Sequence, residues 1–157
     1  MRRRIALACL VLAGALVAAA DVGASIVPGA AIAGVRLGMP EARVRAVLGE
    51  PTREIRDTTE LGDYVELRYP GLRIFLLPRV GVSSVATTRR AERTRSGVGV
   101  GSTVAAVRAG IPGIACQVSG GVGLCRVGGV RRGARGTDLS IRRGRVTEVS
   151  VYRVDSG

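Results

Sequence analysis

The stretch GVRLGMPEARVRA at residues 34–46 recurs as GVGVGSTVAAVRA at residues 97–109. Seven of the thirteen aligned positions are identical, whereas a chain this rich in Gly, Ala, Val and Arg would give roughly one by chance. Each copy has the same plan, in which a G-V-x-x-G turn leads into a short helical pattern. The repeat therefore predicts that a structural unit has been duplicated.

Both copies carry the signals of a short helix. In the first copy, Pro40 suits the first helical position, Glu41 favours the positive end of the helix, and Gly49 ends it. In the second copy, Ser102 or Thr103 can cap the start, and Gly110 with Pro112 marks the end. We expect two similar helices.

After each helix the apolar residues alternate with period two, which is typical of strands. The pattern predicts strands over residues 64–69, 72–77 and 82–88, and again over residues 114–118, 124–127, 137–142 and 146–153. The sequence thus predicts an α+β fold with two tandem repeats, at residues 34–88 and 97–157. Each repeat is expected to pack one or more short helices on an antiparallel three- to four-stranded β-meander. The charged residues 89–96 are expected to form a solvated linker.

The first twenty residues have the pattern of a signal peptide. Three arginines precede an apolar run over residues 5–20, and three alanines lie before Asp21. Cleavage after Ala24 or Ala33 fits as well, since small residues stand at those positions too. The run is shorter than the ~20 residues that span a bilayer, so no membrane span is expected once the leader is removed. We predict a secreted or periplasmic protein with a loose N-terminal segment over residues 21–33.

Cysteine usage agrees with export. Cys9 lies in the leader and would be removed with it, which leaves Cys116 and Cys125 as an even pair. A disulfide is the expected state of such a pair in an oxidising compartment. The chain contains no histidine, so a metal site is not expected.

Arginine supplies all 24 basic residues, and the formal net charge is +12. Biased codon use on a solvated surface is one interpretation, and a face that binds polyanions is the other. Because the late basic region lacks aromatic residues on which bases could stack, an envelope polymer is a better ligand than nucleic acid. The candidate anion-binding residues are Arg126, Arg131, Arg132, Arg135, Arg142, Arg143 and Arg145.

An enzyme site does not assemble from these residues. The chain lacks histidine and lysine, and no G-x-S-x-G motif occurs. The pairs Asp57 with Glu60 and Asp138 with Glu148 are expected to be solvated. The glycine-rich residues 97–103 lack the lysine of a phosphate-binding loop, and they share their glycine spacing with residues 34–40, so a structural turn is expected. We predict no catalytic residue, cofactor or metal.

Several short motifs resemble a known family. They are VRLGMPEARV at residues 35–44, LGEPT at residues 48–52, and residues 98–107 followed by Cys116 and Cys125. A single unit of this kind resembles the SmpA/OmlA outer-membrane assembly lipoprotein domain. Two units in tandem are similar to the β-lactamase-inhibitor-protein family.

The resemblance implies helices on one face of the sheet and, without catalysis, a partner protein held across a concave surface. Residues 60–64 match a hairpin loop that inserts into the partner, although an ordinary exposed turn is the alternative. Candidate contacts are Glu60, Asp63, Tyr64 and Tyr69. The sequence therefore predicts an exported, non-enzymatic protein-binding module of the bacterial envelope or secretome. Binding of an anionic envelope polymer through the arginines is the alternative function.

Overall fold

A computed structural model describes residues 24–59 and 62–154 of the chain, so the predicted signal peptide and Cys9 lie outside the described residues. Within these ranges the elements, in chain order, are β1 (Ile26–Val27), β2 (Ala31–Ile32), β3 (Val35–Arg36), α1 (Glu41–Leu48), β4 (Arg53–Thr59), β5 (Gly62–Tyr69), β6 (Leu72–Leu77), β7 (Gly81–Thr87), α2 (Val104–Gly110), β8 (Ala115–Ser119), β9 (Val122–Gly128), β10 (Arg135–Arg142) and β11 (Arg145–Arg153).

Eight of the strands form one antiparallel sheet in the order β4-β5-β6-β7-β11-β10-β9-β8, and the three shortest form a separate small sheet. The predicted α+β class with two tandem repeats is therefore wrong. The described residues are predominantly β, with two helices of only eight and seven residues. Strands β7 and β11 pair directly, with Val85 opposite Val151. Their pairing removes two sheet edges whose N–H and C=O groups would otherwise lack partners.

The strands with alternating apolar residues were predictable, and the structure confirms all seven to within a few residues. Helix α1 begins at Glu41, with Pro40 as the cap residue rather than the first helical residue. Of the two residues predicted as possible caps of α2, Ser102 and Thr103, the cap is Thr103, whose hydroxyl accepts a hydrogen bond from the Ala106 N–H. Local signals therefore placed most of the elements.

Strand β4 was not predicted because its sequence, REIRDTT, has no apolar alternation. It pairs with β5 along all seven of its residues, and ion pairs also link it to α1. Arg45 of α1 contacts both Glu41 and Glu54, and Arg56 of β4 reaches back to Glu41 with 2.9 Å between Nη2 and Oε1. These two arginines lower the pKa of the Glu54 carboxyl, Arg45 having the larger effect.

The core lies on one face of the large sheet. Each of five neighbouring strands contributes a buried residue to this face, namely Leu67, Ile74, Val85, Val151 and Leu139. The helices and the small sheet pack here, with β2 against β7 and β11. We call this side the covered face. None of the described helices or strands packs on the other side, which we call the open face.

Two segments that were expected to be loose or solvated are packed. Ile26 and Ile32, within the predicted loose segment over residues 21–33, are buried in the core. The Ile26 N–H donates to the Arg93 carbonyl at 2.9 Å, which ties the predicted linker over residues 89–96 to β1. Thr94 of the same linker is buried and accepts from the Val98 N–H. Neither segment is therefore loose along its whole length, since Ile26, Ile32 and Thr94 are buried.

Candidate partner-binding face

The open face combines aromatic rings with arginine–carboxylate pairs. Since side chains alternate between the two faces of a strand, its members follow from the strand registers. They include Tyr64, Glu66, Arg68, Arg73, Phe75, Arg126, Asp138, Glu148 and Tyr152. Tyr64 and Phe75 lie together, with their ring centroids 6.1 Å apart.

A buried carboxylate lies within the first half of the open face. The Glu66 side chain is only 5% exposed although no helix covers it. Its neighbours across the strands are Ile55 and Phe75. Arg68 donates to both of its carboxylate oxygens, at 2.8 and 3.0 Å, and this interaction raises the pKa of Arg68. The paired contact holds the guanidinium in one orientation on the surface.

The second half of the open face carries a three-residue hydrogen-bonded group. Arg126 donates to both oxygens of Asp138, at 2.7 and 2.6 Å, and its guanidinium carbon lies 5.9 Å from the centre of the Tyr152 ring. The Tyr152 hydroxyl donates to the same carboxylate at 3.2 Å. Burial, with the nearby Asp138 charge, raises the pKa of Tyr152. The contacts fix an aromatic ring and an arginine next to each other.

An ion pair connects the two halves of the open face. Arg73 of β6 donates from Nη2 to an oxygen of Glu148 of β11 at 2.8 Å, across the intervening strand β7. Both side chains are partly exposed. The open face is therefore one surface that extends over both halves of the sheet.

The structure separates the four predicted partner contacts. Glu60 lies outside the described residues. Asp63 is exposed near the start of β5 and accepts from the Thr58 hydroxyl at 2.7 Å, while Tyr64 is on the open face. Tyr69 is 7% exposed, faces the core and donates to the Gly49 carbonyl at 3.0 Å. Tyr69 therefore lies on the opposite side of the sheet from Tyr64, because the two residues are five positions apart and an odd spacing reverses the face.

The seven arginines proposed as an anion-binding cluster do not form one patch. Strand β10 runs from Arg135 to Arg142, and at about 3.3 Å per residue it separates these two side chains by about 23 Å. Arg131 and Arg132 lie near the start of β10, whereas Arg143 and Arg145 lie at its far end. The seventh, Arg126, is paired with Asp138. The single anion-binding surface predicted from the sequence is therefore divided.

The glycine-rich segment over residues 97–103 is a structural turn. Its Gly99 N–H donates to the Ser102 hydroxyl at 3.1 Å, and its Gly101 N–H donates to the Val146 carbonyl at 2.7 Å. Arg145 in turn donates to the Gly101 carbonyl. These backbone donors are used within the fold, so they do not form a phosphate-binding loop.

The predicted disulfide between Cys116 and Cys125 is present and joins β8 to β9. Across residues 24–59 and 62–154, no helix is long and apolar enough to cross a membrane. The same ranges contain no group of three or more Cys, Asp or Glu side chains that could hold a metal ion. Comparison with protein-family models, with curated proteins and with solved structures finds no match to this chain.

Proposed function

We propose that the chain is an exported, non-enzymatic protein-binding module and that the open face is its contact surface. The observation that carries the proposal is the composition of this face, where three aromatic rings and three arginines lie on the uncovered side of one sheet. Aromatic residues and arginine are enriched in protein interfaces and supply most of their binding energy.

The arrangement of the charges supports the same proposal. Each of the three arginines is already held by a carboxylate, in the pairs Arg68 with Glu66, Arg73 with Glu148, and Arg126 with Asp138. Side chains that are fixed before binding lose less conformational freedom when a partner covers them. A sheet is also a rigid support, so the face needs little rearrangement to bind.

Export is part of the proposal. The signal-peptide pattern over residues 1–20 supports it, as does the disulfide, since disulfides persist in oxidising compartments. We propose a periplasmic or secreted location, with another envelope or secreted protein as the partner. We do not propose binding of anionic polymers as the main function, because the arginines are divided between two ends of β10.

The test is retention of a protein partner from a bacterial envelope or secreted fraction. The immobilised chain is compared with Tyr64→Ala and Phe75→Ala, which remove rings from the open face, and with Val47→Ala. Val47 is 44% exposed on α1, on the covered side, and serves as the matched control. Loss of an interface aromatic ring commonly costs about tenfold or more in affinity.

We expect both ring variants to retain at most about a tenth of the partner, and Val47→Ala to retain it fully. Circular dichroism checks that each variant is folded. The proposal is refuted if the folded chain retains no specific protein, or if the ring variants retain as much as the control. A salt series adds a second check, because a polymer bound through unpaired arginines would be released steeply by salt.

A further inference from the structure

The two edges of the large sheet differ in how they are protected. The outer strand β4 carries four charged residues among seven, Arg53, Glu54, Arg56 and Asp57, and it is tied to α1 by ion pairs. The opposite outer strand β8 reads ACQVS, with neither a charge nor a proline. Charged residues and proline are the usual means by which an exposed edge avoids pairing with another chain. Strand β8 lacks both.

The backbone groups available on β8 follow from its hairpin. Gly120 and Gly121 form a two-residue turn to β9, and both have positive φ, as the preferred hairpin turns require. In such a turn the closing pair, Ser119 with Val122, exchanges hydrogen bonds, and the pairs then alternate along the ladder. The N–H and C=O groups of Cys116 and Val118 therefore point away from β9. No strand within the described residues pairs with this side.

The surroundings of β8 are positively charged. Residues 97–154 contain nine arginines but only two carboxylates, Asp138 and Glu148, and both carboxylates are ion-paired with arginine. Arg108 is exposed on α2, which packs next to β8. Arg143 lies at the β10–β11 turn, where the Gly144 N–H donates to the Gly121 carbonyl at 2.9 Å. Positive charge therefore borders both the side and the end of β8.

We propose that β8 binds an extended acidic segment of another protein as a ninth strand of the sheet. The backbone of Cys116 and Val118 supplies the hydrogen bonds, and the neighbouring arginines select for carboxylates. A second copy of this chain is a poor occupant, because its β8 would bring the same positive charge to the contact. This surface is separate from the open face, so the two proposals can fail independently.

The test uses a fluorescein-labelled peptide of four Val-Glu repeats with blocked ends, followed by fluorescence anisotropy. Val118→Pro removes the outward N–H of residue 118, and Val118→Ala shortens the same side chain but keeps that N–H. We expect the unchanged protein and Val118→Ala to bind alike. The dissociation constant of Val118→Pro is expected to be about tenfold higher, because the loss of one hydrogen bond weakens binding by about this factor. Binding should weaken as salt increases.

A second measurement does not depend on whether Val118→Pro folds. The same peptide, N-methylated at every residue so that neither of its edges keeps a donor, should lose binding to the unchanged protein, since methylation removes the donors that β8 requires. The proposal is overturned if Val118→Pro, folded, binds as well as Val118→Ala, or if the methylated peptide still binds. Equal binding of a Val-Arg repeat peptide would also overturn it. So would sedimentation showing a dimer that Val118→Pro abolishes, because a second copy would then occupy the edge.

Discussion

Truncation of Val151 tests whether the two halves form one cooperative sheet. This side chain is 0% exposed in the middle of the sheet, opposite Val85 of β7 on one side and Thr137 of β10 on the other. Val151→Ala removes two methyl groups, worth about 1.6 kcal/mol at about 0.8 kcal/mol per buried carbon. The cavity left in a packed core raises the expected loss of unfolding free energy to about 2–3 kcal/mol.

Urea unfolding measures this loss. With a slope of about 2 kcal/mol per molar urea for a domain of this size, the midpoint should fall by about 1–1.5 M. Because the strands on both sides of β11 belong to one sheet, amide NMR signals from both halves should disappear in a single transition. Val122→Ala deletes the same atoms at a site that is 58% exposed, and it should cost less than about 0.5 kcal/mol.

Two separate transitions would refute the cooperative sheet. So would selective loss of signals from residues 104–153 in Val151→Ala while β5 and β6 remain folded. Either result would mean that the β7–β11 pairing contributes little to stability, and that the halves are independent domains after all.

Three further changes have defined outcomes. Cys125→Ser opens the ten-residue disulfide loop and should lower the unfolding free energy by roughly 2.5–3 kcal/mol, as measured in urea without reductant. Arg45 helps to lower the pKa of Glu54 from 4.5, so the ionised carboxylate stabilises the fold above that pH. This stability is lost as the pH falls through the lowered pKa. The melting temperature of Glu54→Gln should therefore depend less on pH below pH 4.5 than that of the unchanged protein. Tyr69→Phe leaves the Gly49 carbonyl without its donor and should cost about 1 kcal/mol by thermal unfolding.

The sequence was informative wherever local signals decide the structure. Alternating apolar residues predicted seven strands, and the pair Ser102 and Thr103 predicted where α2 starts. The same rule of alternation distinguishes Tyr69 from Tyr64, because the two residues are five positions apart in one strand. The predicted strand over residues 137–142 did not include Arg135, whereas the observed strand places Arg135 and Arg142 at its opposite ends.

Other features depend on contacts between distant residues. Strand β4 pairs with β5 and contacts α1 through ion pairs, and an exposed run of mixed charges reveals neither partner. The merging of the two meanders depends on the pairing of Val85 with Val151, which are far apart in the chain. Burial of Ile26 and Ile32 likewise depends on a sheet that forms elsewhere. Neither the composition of the sequence nor the periodicity of its apolar residues predicts these contacts.

The central position of β11 also bears on when the chain can fold. Arg145, where β11 begins, comes 58 residues after Thr87, where β7 ends. Throughout the synthesis of that interval the edge of β7 has no partner, and an unpaired edge invites association with other chains. If the chain is threaded through a membrane channel, its sheet can close only after β11 has emerged, so a holding chaperone on the far side would shield β7 in the meantime.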